Sequence, residues 1–214
     1  MRTLIQCDFD GTITEADLSF QLLDAFGDGD WRRLLAEYRE NKISIGCFNT
    51  TAFARLKADR QTLIEFVQRE VTLRAGFHEL LGYCRENGFQ FVIVSNGLDF
   101  YIDVTLRDMG MENIEVFAAQ TRFVPGGLQV KYVGPTGHQL DNSFKETYTR
   151  LFLKSGYRIV YVGNGLSDIP AAGLAAHVFA RDELLTYCRD AKLNYTPFIN
   201  LNDVVSGLEL LSFQ

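Results

Sequence analysis

The sequence predicts an α/β protein built on a parallel β-sheet, with a helical insertion and a β-hairpin added to it. Short apolar runs alternate along the chain with segments of helical periodicity, and this alternation favours parallel strands covered by helices on both faces. Predicted strands lie at residues 3–8, 89–95, 158–162 and 177–180, with a weaker one at 197–199. The fold class follows from these strands and from the amphipathic segments between them.

The helical insertion is predicted at residues 16–73, which contain no convincing strand. This block has helical patterns at residues 18–26, 31–40, 44–56 and 59–71. Because it lies between the first and second predicted strands, we expect a helical cap above the carboxyl edge of the sheet. The chain is therefore expected to divide into a core of residues 1–15 and 74–214 and a cap of residues 16–73.

A hairpin is predicted further along the chain, with strands at residues 115–123 and 128–133. The turn residues Pro125, Gly126 and Gly127 separate these two runs. A helix is also expected at residues 76–87, where apolar side chains recur at helical spacing and Gly88 supplies the stop.

Composition narrows the classes of function. The chain has 214 residues, of which 47% are hydrophobic, and a net charge of −6. It can bury a sizeable core, and without a long basic run it is not expected to capture nucleic acid or an anionic membrane by charge. Four widely separated cysteines lack the spacing of a metal site. No signal-peptide core or membrane-spanning run is evident, so we expect a cytoplasmic protein; its oligomeric state is not predicted.

The most informative motif is the pair of carboxylates Asp8 and Asp10, which comes directly after the first predicted strand. Residues two apart on a strand point the same way, so both acids are expected to face one cavity. Two carboxylates in one cleft indicate a nucleophile beside a general acid/base, with a divalent cation to reduce their repulsion. The ordinary alternative is a strand that ends in a polar turn.

Three further segments fall beyond the carboxyl ends of predicted strands or at the start of a helix. Ser95-Asn96-Gly97 offers a hydroxyl and successive N–H groups for a phosphate, although such a sequence is also common in turns. Lys145 offers a positive charge, or is simply an exposed helical lysine. In the segment 163–170, Asn164 and Asp168 can present oxygens to a cation, or Asp168 can cap the next helix.

Taken together and in this order, the Asp8-x-Asp10-Gly11-Thr12 motif, Ser95, Lys145 and the 164–168 loop resemble the haloacid dehalogenase superfamily. The resemblance spans nearly the whole chain and implies a Rossmann-like core with a cap inserted after the first motif. Residues 70–97 are similar to the phosphoserine phosphatase branch. Residues 179–188 are similar to the methionine-salvage phosphatases, which act on 2-hydroxy-3-keto-5-methylthiopentenyl-1-phosphate.

The resemblance also implies roles for individual residues. Asp8 would be the nucleophile that becomes an aspartyl phosphate, and Asp10 the general acid/base. The residues expected to bind Mg²⁺, with Asp10 acting through its carbonyl, are Asp8, Asp10, Asn164 and Asp168. Those expected to bind the phosphate are Thr12, Ser95, Asn96, Gly97 and Lys145. Asp17 and Phe20 of the cap are expected to lie near the substrate.

The implied function is Mg²⁺-dependent hydrolysis of a phosphomonoester on a small phosphorylated metabolite. Two alternatives stay open: a phosphotransferase that uses an acceptor other than water, and a non-catalytic protein that binds a small ligand. The second alternative is motivated by Asn164, which stands where the fourth motif usually has a metal-binding aspartate. The segment 134–141 also lacks the cysteines that the methionine-salvage enzymes carry there, which leaves the substrate open.

Overall fold

The computed structural model describes residues 2–211, which form one seven-stranded sheet. Its strands follow the spatial order β4-β3-β2-β1-β5-β6-β7, and only the β3–β4 pair is antiparallel. The strands are β1 (Arg2–Cys7), β2 (Gln90–Leu98), β3 (Glu115–Val124), β4 (Gly127–Lys131), β5 (Tyr157–Gly163), β6 (His177–Ala180) and β7 (Tyr195–Pro197). The predicted α/β fold with a mostly parallel sheet and a hairpin is confirmed.

Ten α-helices accompany this sheet within the described residues. They are α1 (Leu18–Phe26), α2 (Trp31–Arg39), α3 (Ile45–Phe53), α4 (Arg60–Glu70), α5 (Phe77–Glu86), α6 (Asp99–Asp108), α7 (Phe144–Lys154), α8 (Ile169–Ala172), α9 (Asp182–Asp190) and α10 (Leu201–Leu210). None of them is long and apolar enough to cross a lipid bilayer. The helices predicted in the insertion are present, with ends within three residues of the predicted ones.

The central strand β1 explains why the core forms. Its residues from Leu4 to Cys7 are fully buried, so helices must cover both faces of the sheet at this strand. Helix α7 packs against β2 and β5, α6 against β2 and β3, and α9 against β6 and β7. The near-continuous apolar pattern of the predicted strands is what this two-sided burial requires.

Side-chain caps explain where the four helices of the insertion begin. Asp17, Asp30, Ser44 and Asp59 precede α1, α2, α3 and α4, and each side chain accepts a hydrogen bond from a backbone N–H three residues later. Each such cap stabilises a helix by about 1 kcal/mol. These short polar residues are therefore the local signal that divides the insertion into four helices.

The two ends of the insertion lie side by side. Thr14 and Leu73 form an antiparallel bridge, the Glu15 N–H donates to the Thr72 carbonyl, and the Arg74 N–H donates to the Ile13 carbonyl. The chain thus leaves the sheet and returns to it at one place. This is the geometry expected of an inserted segment, and the division of the chain into core and cap stays a prediction.

Two strand boundaries differ from the predictions. The weak strand predicted at 197–199 lies at Tyr195–Pro197 instead, because the Ile199 and Asn200 N–H groups donate to Asp203 and belong to the start of α10. Strand β2 continues to Leu98, with a shift of its pairing to β3 between Val94 and Leu98. Ser95, Asn96 and Gly97 therefore belong to the irregular end of a strand rather than to a separate turn.

Candidate active site

The candidate site lies where the strand order reverses. β1 has β2 on one side and β5 on the other, and open parallel sheets bind ligands beyond the carboxyl ends of such strands. Asp8 follows β1, Ser95 lies at the end of β2, and Asn164 follows β5. These three residues, together with Asp10 and Lys145, line one cavity of about 460 Å³.

Asp8 is held by hydrogen bonds to one of its two carboxylate oxygens. Oδ1 accepts from the Phe9 N–H at 2.8 Å and lies 2.8 Å from Nζ of Lys145. Burial raises the pKa of Asp8 to about 7; the nearby Asp168 charge acts in the same direction and Lys145 opposes it. Asp8 is therefore a buried carboxyl with a fixed orientation and a cation beside it.

Lys145 contacts a second carboxylate, that of Asp168, at 2.6 Å. Burial alone would lower the pKa of Lys145, but Asp168 and Asp8 outweigh it and raise the pKa, which keeps the lysine charged. Asp168 is fully buried, and Oδ1 also accepts from the Tyr161 hydroxyl at 2.6 Å. Its other oxygen, Oδ2, accepts from the N–H groups of Asn164 and Gly165. Asp168 thus fixes both the lysine and the loop.

Asp10 faces the same cavity as Asp8, as the two-residue spacing predicts. Its Oδ1 accepts from the Leu18 N–H at 3.0 Å, and its Oδ2 accepts a short hydrogen bond from the Tyr101 hydroxyl. Burial raises the pKa of Asp10 well above its usual range, and the charge of Asp17 adds to the effect. A carboxyl with a raised pKa is suited to hold and give a proton.

The segment from Ser95 to Gly97 lies opposite the two acids. The Ser95 hydroxyl accepts from the Gly97 N–H at 2.9 Å. The Asn96 carbonyl accepts from the Tyr132 hydroxyl at 2.6 Å and from the Asn49 side chain at 3.1 Å. Ser95, Asn96 and Gly97 all line the cavity. The segment is thus fixed by the hairpin side of the sheet and by a residue of the insertion.

Two predicted site residues have a different place from the one expected. Thr12 and Asp168 are absent from the described residues that line the cavity. The Thr12 hydroxyl is fully buried and donates to Oδ1 of Asn164 at 3.0 Å. Thr12 therefore contacts the loop after β5 where a phosphate contact was expected, and Asp168 contacts Lys145 where a metal contact was expected.

Asp17 and Phe20 both line the cavity, as predicted for the insertion. The Asp17 side chain accepts from the Phe20 N–H at 2.9 Å and so caps α1. Burial raises the pKa of Asp17 to about 6. The Phe20 ring stacks on Trp31, with 5.0 Å between the ring centroids. The start of α1 thus places one acid and one aromatic ring at the cavity wall.

Several further residues of the insertion line the cavity and were missed by sequence reasoning. They are Ser19, Leu35, Tyr38, Arg39, Ile45 and Asn49. Arg39 reaches across to α9 and lies 3.3 Å from Glu183. The amphipathic pattern of these helices does not tell a residue of the cavity wall from one of the core.

Arg74 also supports the site and was not identified from the sequence. Its buried guanidinium donates to backbone carbonyls at the end of the first motif and just after it, those of Gly11 and Thr12 at 2.9 Å among them. Two further bonds go to the carbonyls of Thr14 and Glu15. A single arginine thus holds the segment that carries Asp8 and Asp10. No local sequence signal indicates this, because all of its partners are backbone atoms.

A divalent cation fits the chemistry of the side chains here. Among the residues that the structure describes, no group of three or more His, Cys, Asp or Glu is arranged to hold a metal. The oxygens available are those of Asp8, Asp10 and the Asn164 amide, and Mg²⁺ prefers such oxygen ligands. Burial raises the pKa values of Asp8 and Asp10, and a bound cation would favour the charged forms of both carboxyls.

The model of the family described as haloacid dehalogenase-like hydrolase matches residues 5–173. The chain belongs to this family. Curated relatives are named 2-hydroxy-3-keto-5-methylthiopentenyl-1-phosphate phosphatase. The one from Exiguobacterium sibiricum is 30% identical over 98% of this chain and 97% of its own length. The one from Bacillus mycoides is 28% identical over 99% of this chain and 98% of its own length.

Solved structures with the same fold include phosphoserine phosphatases. One, described as a phospho-aspartyl intermediate analogue, has a TM-score of 0.71 at 17% identity and covers 96% of this chain and 98% of its own. Another, from T. onnurineus, also has a TM-score of 0.71 at 17% identity, over 99% of this chain and 96% of its own. These structures show the fold alone. The predicted family is confirmed, and the hydrolase family and the names of its relatives bear out the predicted phosphatase class.

Proposed function

We propose that this protein is a Mg²⁺-dependent phosphomonoester hydrolase that acts on a small phosphorylated metabolite through an aspartyl-phosphate intermediate. The observation that carries the proposal is the convergence of Asp8, Asp10 and Lys145 on one cavity at the carboxyl edge of the sheet. Asp8 is paired with the Lys145 ammonium, which favours the carboxylate form of Asp8. Burial raises the pKa of Asp10, which favours its protonated form. This pairing supplies a nucleophile and a proton donor for one phosphate group.

In the first step, a carboxylate oxygen of Asp8 attacks phosphorus, and the bond between phosphorus and the leaving oxygen breaks. The electron pair of that bond goes to the leaving oxygen, which takes the proton held by Asp10. An alcohol leaves and Asp8 carries the phosphoryl group. Asp10 is needed here because an alkoxide is a poor leaving group unless it is protonated.

In the second step, water attacks the phosphorus of the aspartyl phosphate. Asp10, now a carboxylate, takes a proton from this water as the bond between phosphorus and the Asp8 oxygen breaks. Inorganic phosphate leaves, and both acids return to their starting forms. The same carboxyl therefore acts first as acid and then as base, which its position beside Asp8 permits.

Stabilisation of the transferring phosphoryl group comes from fixed donors. The Ser95 hydroxyl, the Asn96 N–H group and the Lys145 ammonium are assigned to its oxygens, whereas the Gly97 N–H group already donates to the Ser95 hydroxyl. Phosphoryl transfer depends mainly on such positioning and charge. Asp168 fixes the position of the Lys145 ammonium. The Thr12 hydroxyl fixes the Asn164 side chain.

Asp8, the backbone carbonyl of Asp10 and the Asn164 side chain would hold the Mg²⁺ ion. When bound, the ion supplies positive charge that reduces repulsion between the acids and the phosphate. We assign Asp168 to the support of Lys145 and of the 164–165 backbone, because its oxygens already accept bonds from both. An amide in place of a carboxylate at residue 164 contributes an oxygen without charge, so the affinity for Mg²⁺ should be modest.

The substrate is expected to be small, with an apolar part. We assign residues 16–73 to a cap that covers the site. It contributes Phe20, Leu35, Ile45 and Phe48 to a cavity of about 460 Å³. That volume suits a small metabolite. The apolar part of the wall and the names of the curated relatives favour a methionine-salvage ester over phosphoserine.

The test is phosphate release from a panel of small phosphomonoesters that includes the methionine-salvage ester and phosphoserine, with Mg²⁺ and with a chelator. The proposal expects release only with Mg²⁺, and the highest kcat/KM for the ester with the apolar chain. Loss of the ester only when an alcohol is added, with formation of a new phosphoester and no free phosphate, would favour a phosphotransferase. No release from any ester by the folded protein with ample Mg²⁺ would contradict the proposal.

A further inference from the structure

A buried chain of hydroxyl groups joins the insertion to Asp10. The Ser19 hydroxyl in α1 lies 2.7 Å from the Tyr101 hydroxyl in α6, and the Tyr101 hydroxyl donates to Oδ2 of Asp10. Tyr101 is fully buried, and Ser19 and Asp10 are no more than 9% exposed. Since the Tyr101 hydroxyl is shielded from water, it depends on Ser19 and Asp10 for its hydrogen bonds.

The first turn of α1 therefore reaches both oxygens of Asp10. The Leu18 N–H bonds Oδ1 directly, at 3.0 Å, and Ser19 reaches Oδ2 through Tyr101. The carboxyl group is held from two directions, and both contacts depend on the position of α1. Asp10 is thus oriented by residues of the insertion as well as by its own strand end.

The surroundings of Tyr101 are built for this contact. Its ring packs against Phe9 and Phe100, with centroid distances of 6.2 and 5.5 Å. Gly97 lies so close that a Cβ atom there would collide with both the Tyr101 hydroxyl and Oδ2 of Asp10. Only glycine at residue 97 leaves room for the bond, so the phosphate-side segment and the tyrosine fit together.

We propose that Tyr101 and Ser19 are positioning residues that aim Asp10 at the leaving oxygen of the substrate, so that seating of α1 completes the proton donor. The inference rests on the proposed function. As the ester bond breaks, the proton of Asp10 moves to the leaving oxygen, and Tyr101 keeps its own proton. The Tyr101 hydroxyl then donates to a carboxylate that carries the full charge, and hydrogen bonds to charged groups are stronger than those to neutral ones.

This role predicts a dependence on the leaving group. An alkyl ester needs the proton of Asp10, whereas 4-nitrophenyl phosphate releases a stable phenolate without one. Loss of the positioning bond should therefore slow the alkyl ester and spare the aryl ester. A loss that is only structural would slow both alike. The parameter kcat/KM reports the steps up to formation of the aspartyl phosphate, so it excludes the later hydrolysis from the comparison.

The experiment compares kcat/KM for glycerol 2-phosphate and 4-nitrophenyl phosphate in the full chain with Mg²⁺. The variants are Tyr101→Phe, Ser19→Ala and the double variant. Tyr148→Phe is the matched control, because it removes a hydroxyl that donates to the Val133 carbonyl at 3.0 Å, in a residue to which we give no part in the reaction. Thermal unfolding of each variant establishes that it is folded.

The expected result is a fall of about tenfold or more in kcat/KM for the alkyl ester with Tyr101→Phe, and a change of less than about twofold for the aryl ester. Ser19→Ala should show the same pattern more weakly, and the double variant should lose less than the product of the two single losses. Ser19→Ala carries the same comparison if Tyr101→Phe does not fold.

Equal losses for the two esters, or no loss for either, would overturn the inference while the wild-type activity leaves the proposed function intact. Wild-type protein that hydrolyses neither these two esters nor any ester of the panel would overturn the proposed function, and with it this inference. The two failures are therefore distinguishable from the wild-type rates alone.

Discussion

Nζ of Lys145 lies 2.8 Å from Oδ1 of Asp8, and the two side chains are only 2% and 7% exposed. Asp168 lies on the other side of the same ammonium group, at 2.6 Å. Buried charges are stable only when they are paired and hydrogen-bonded, and removal of one partner leaves the other uncompensated. The lysine therefore supports both the folded state and the orientation of the Asp8 carboxylate.

Replacement of Lys145 by methionine should destabilise the protein and abolish phosphate release. Two buried carboxylates would lose their cation, and the free energy of unfolding in chelator should fall by about 3 kcal/mol. Urea unfolding measures this change. Lys154→Met is the matched control, because Lys154 is exposed at the end of the same helix. Equal stability of the two variants would show that the Lys145 ion pairs contribute nothing.

Asn164→Asp should tighten binding of Mg²⁺ and lower stability without it. The new carboxylate adds a charged ligand, but in the absence of metal it adds repulsion to Asp8 and Asp10. Thermal unfolding with increasing Mg²⁺, and with chelator, measures both effects. Ser167→Ala, in the same loop, should change neither. If Asn164→Asp leaves the response to Mg²⁺ unaltered, residue 164 does not bind the metal.

Asp17→Asn should reduce the dependence of stability on pH. Burial raises the pKa of Asp17 from its ordinary value of 3.8 to about 6, so protonation stabilises the folded state. This contribution is fully present below pH 3.8 and is lost as the pH rises through 6. Asparagine keeps the helix cap without the charge. Above pH 6 we expect the variant to be more stable than the wild type by about 1 kcal/mol, because partial exposure reduces the full effect.

The measurement is the free energy of unfolding in chelator at several pH values between 4 and 7. The control is Asp30→Asn, which keeps the cap of α2 at an exposed position. The wild type and the control should lose stability together as the pH rises, and Asp17→Asn should lose less. If the free energy of unfolding depends on pH equally in Asp17→Asn and in the wild type, Asp17 does not have a raised pKa in the folded state.

Asn49→Ala should lower the affinity of the site for inorganic phosphate. The Asn49 side chain donates to the Asn96 carbonyl at 3.1 Å and so connects α3 to the segment that we propose binds the phosphate. Loss of one such bond costs about 1 kcal/mol, or roughly fivefold in affinity. The constant for competitive inhibition by inorganic phosphate measures this affinity. Thr50→Ala, exposed on the same helix, should leave the inhibition constant unchanged. No weakening with Asn49→Ala would separate α3 from phosphate binding.

Local patterns account for the parts of this structure that could be predicted from sequence. The two-residue spacing of Asp8 and Asp10 decides that both face one cavity, and the capping residues decide where the helices of the insertion begin. Both features depend on neighbours in the chain. The resemblance to a family supplied Ser95, Lys145 and Asn164, whose meeting no local pattern could indicate.

Long-range packing accounts for what could not be predicted. Ser19 and Tyr101 are 82 residues apart, and their contact depends on how α1 and α6 meet beside β2. Asp168 has the chemistry of a metal ligand in the sequence, but the seating of α7 beside β5 places Lys145 against it. Where a side chain suits two roles, its tertiary contacts decide between them. Such contacts cannot be inferred from a single sequence.

The measurement that tests the central claim most directly is trapping of the aspartyl phosphate. The Asp10→Asn variant removes the base for the second step, so a phosphoryl group delivered from 4-nitrophenyl phosphate should accumulate on the protein. Acid quenching with labelled ester, followed by peptide mapping, locates the label. The account predicts label on Asp8, and none when Asp8→Asn is added to the variant. Label on another residue, or wild-type turnover with no label in either protein, would contradict it.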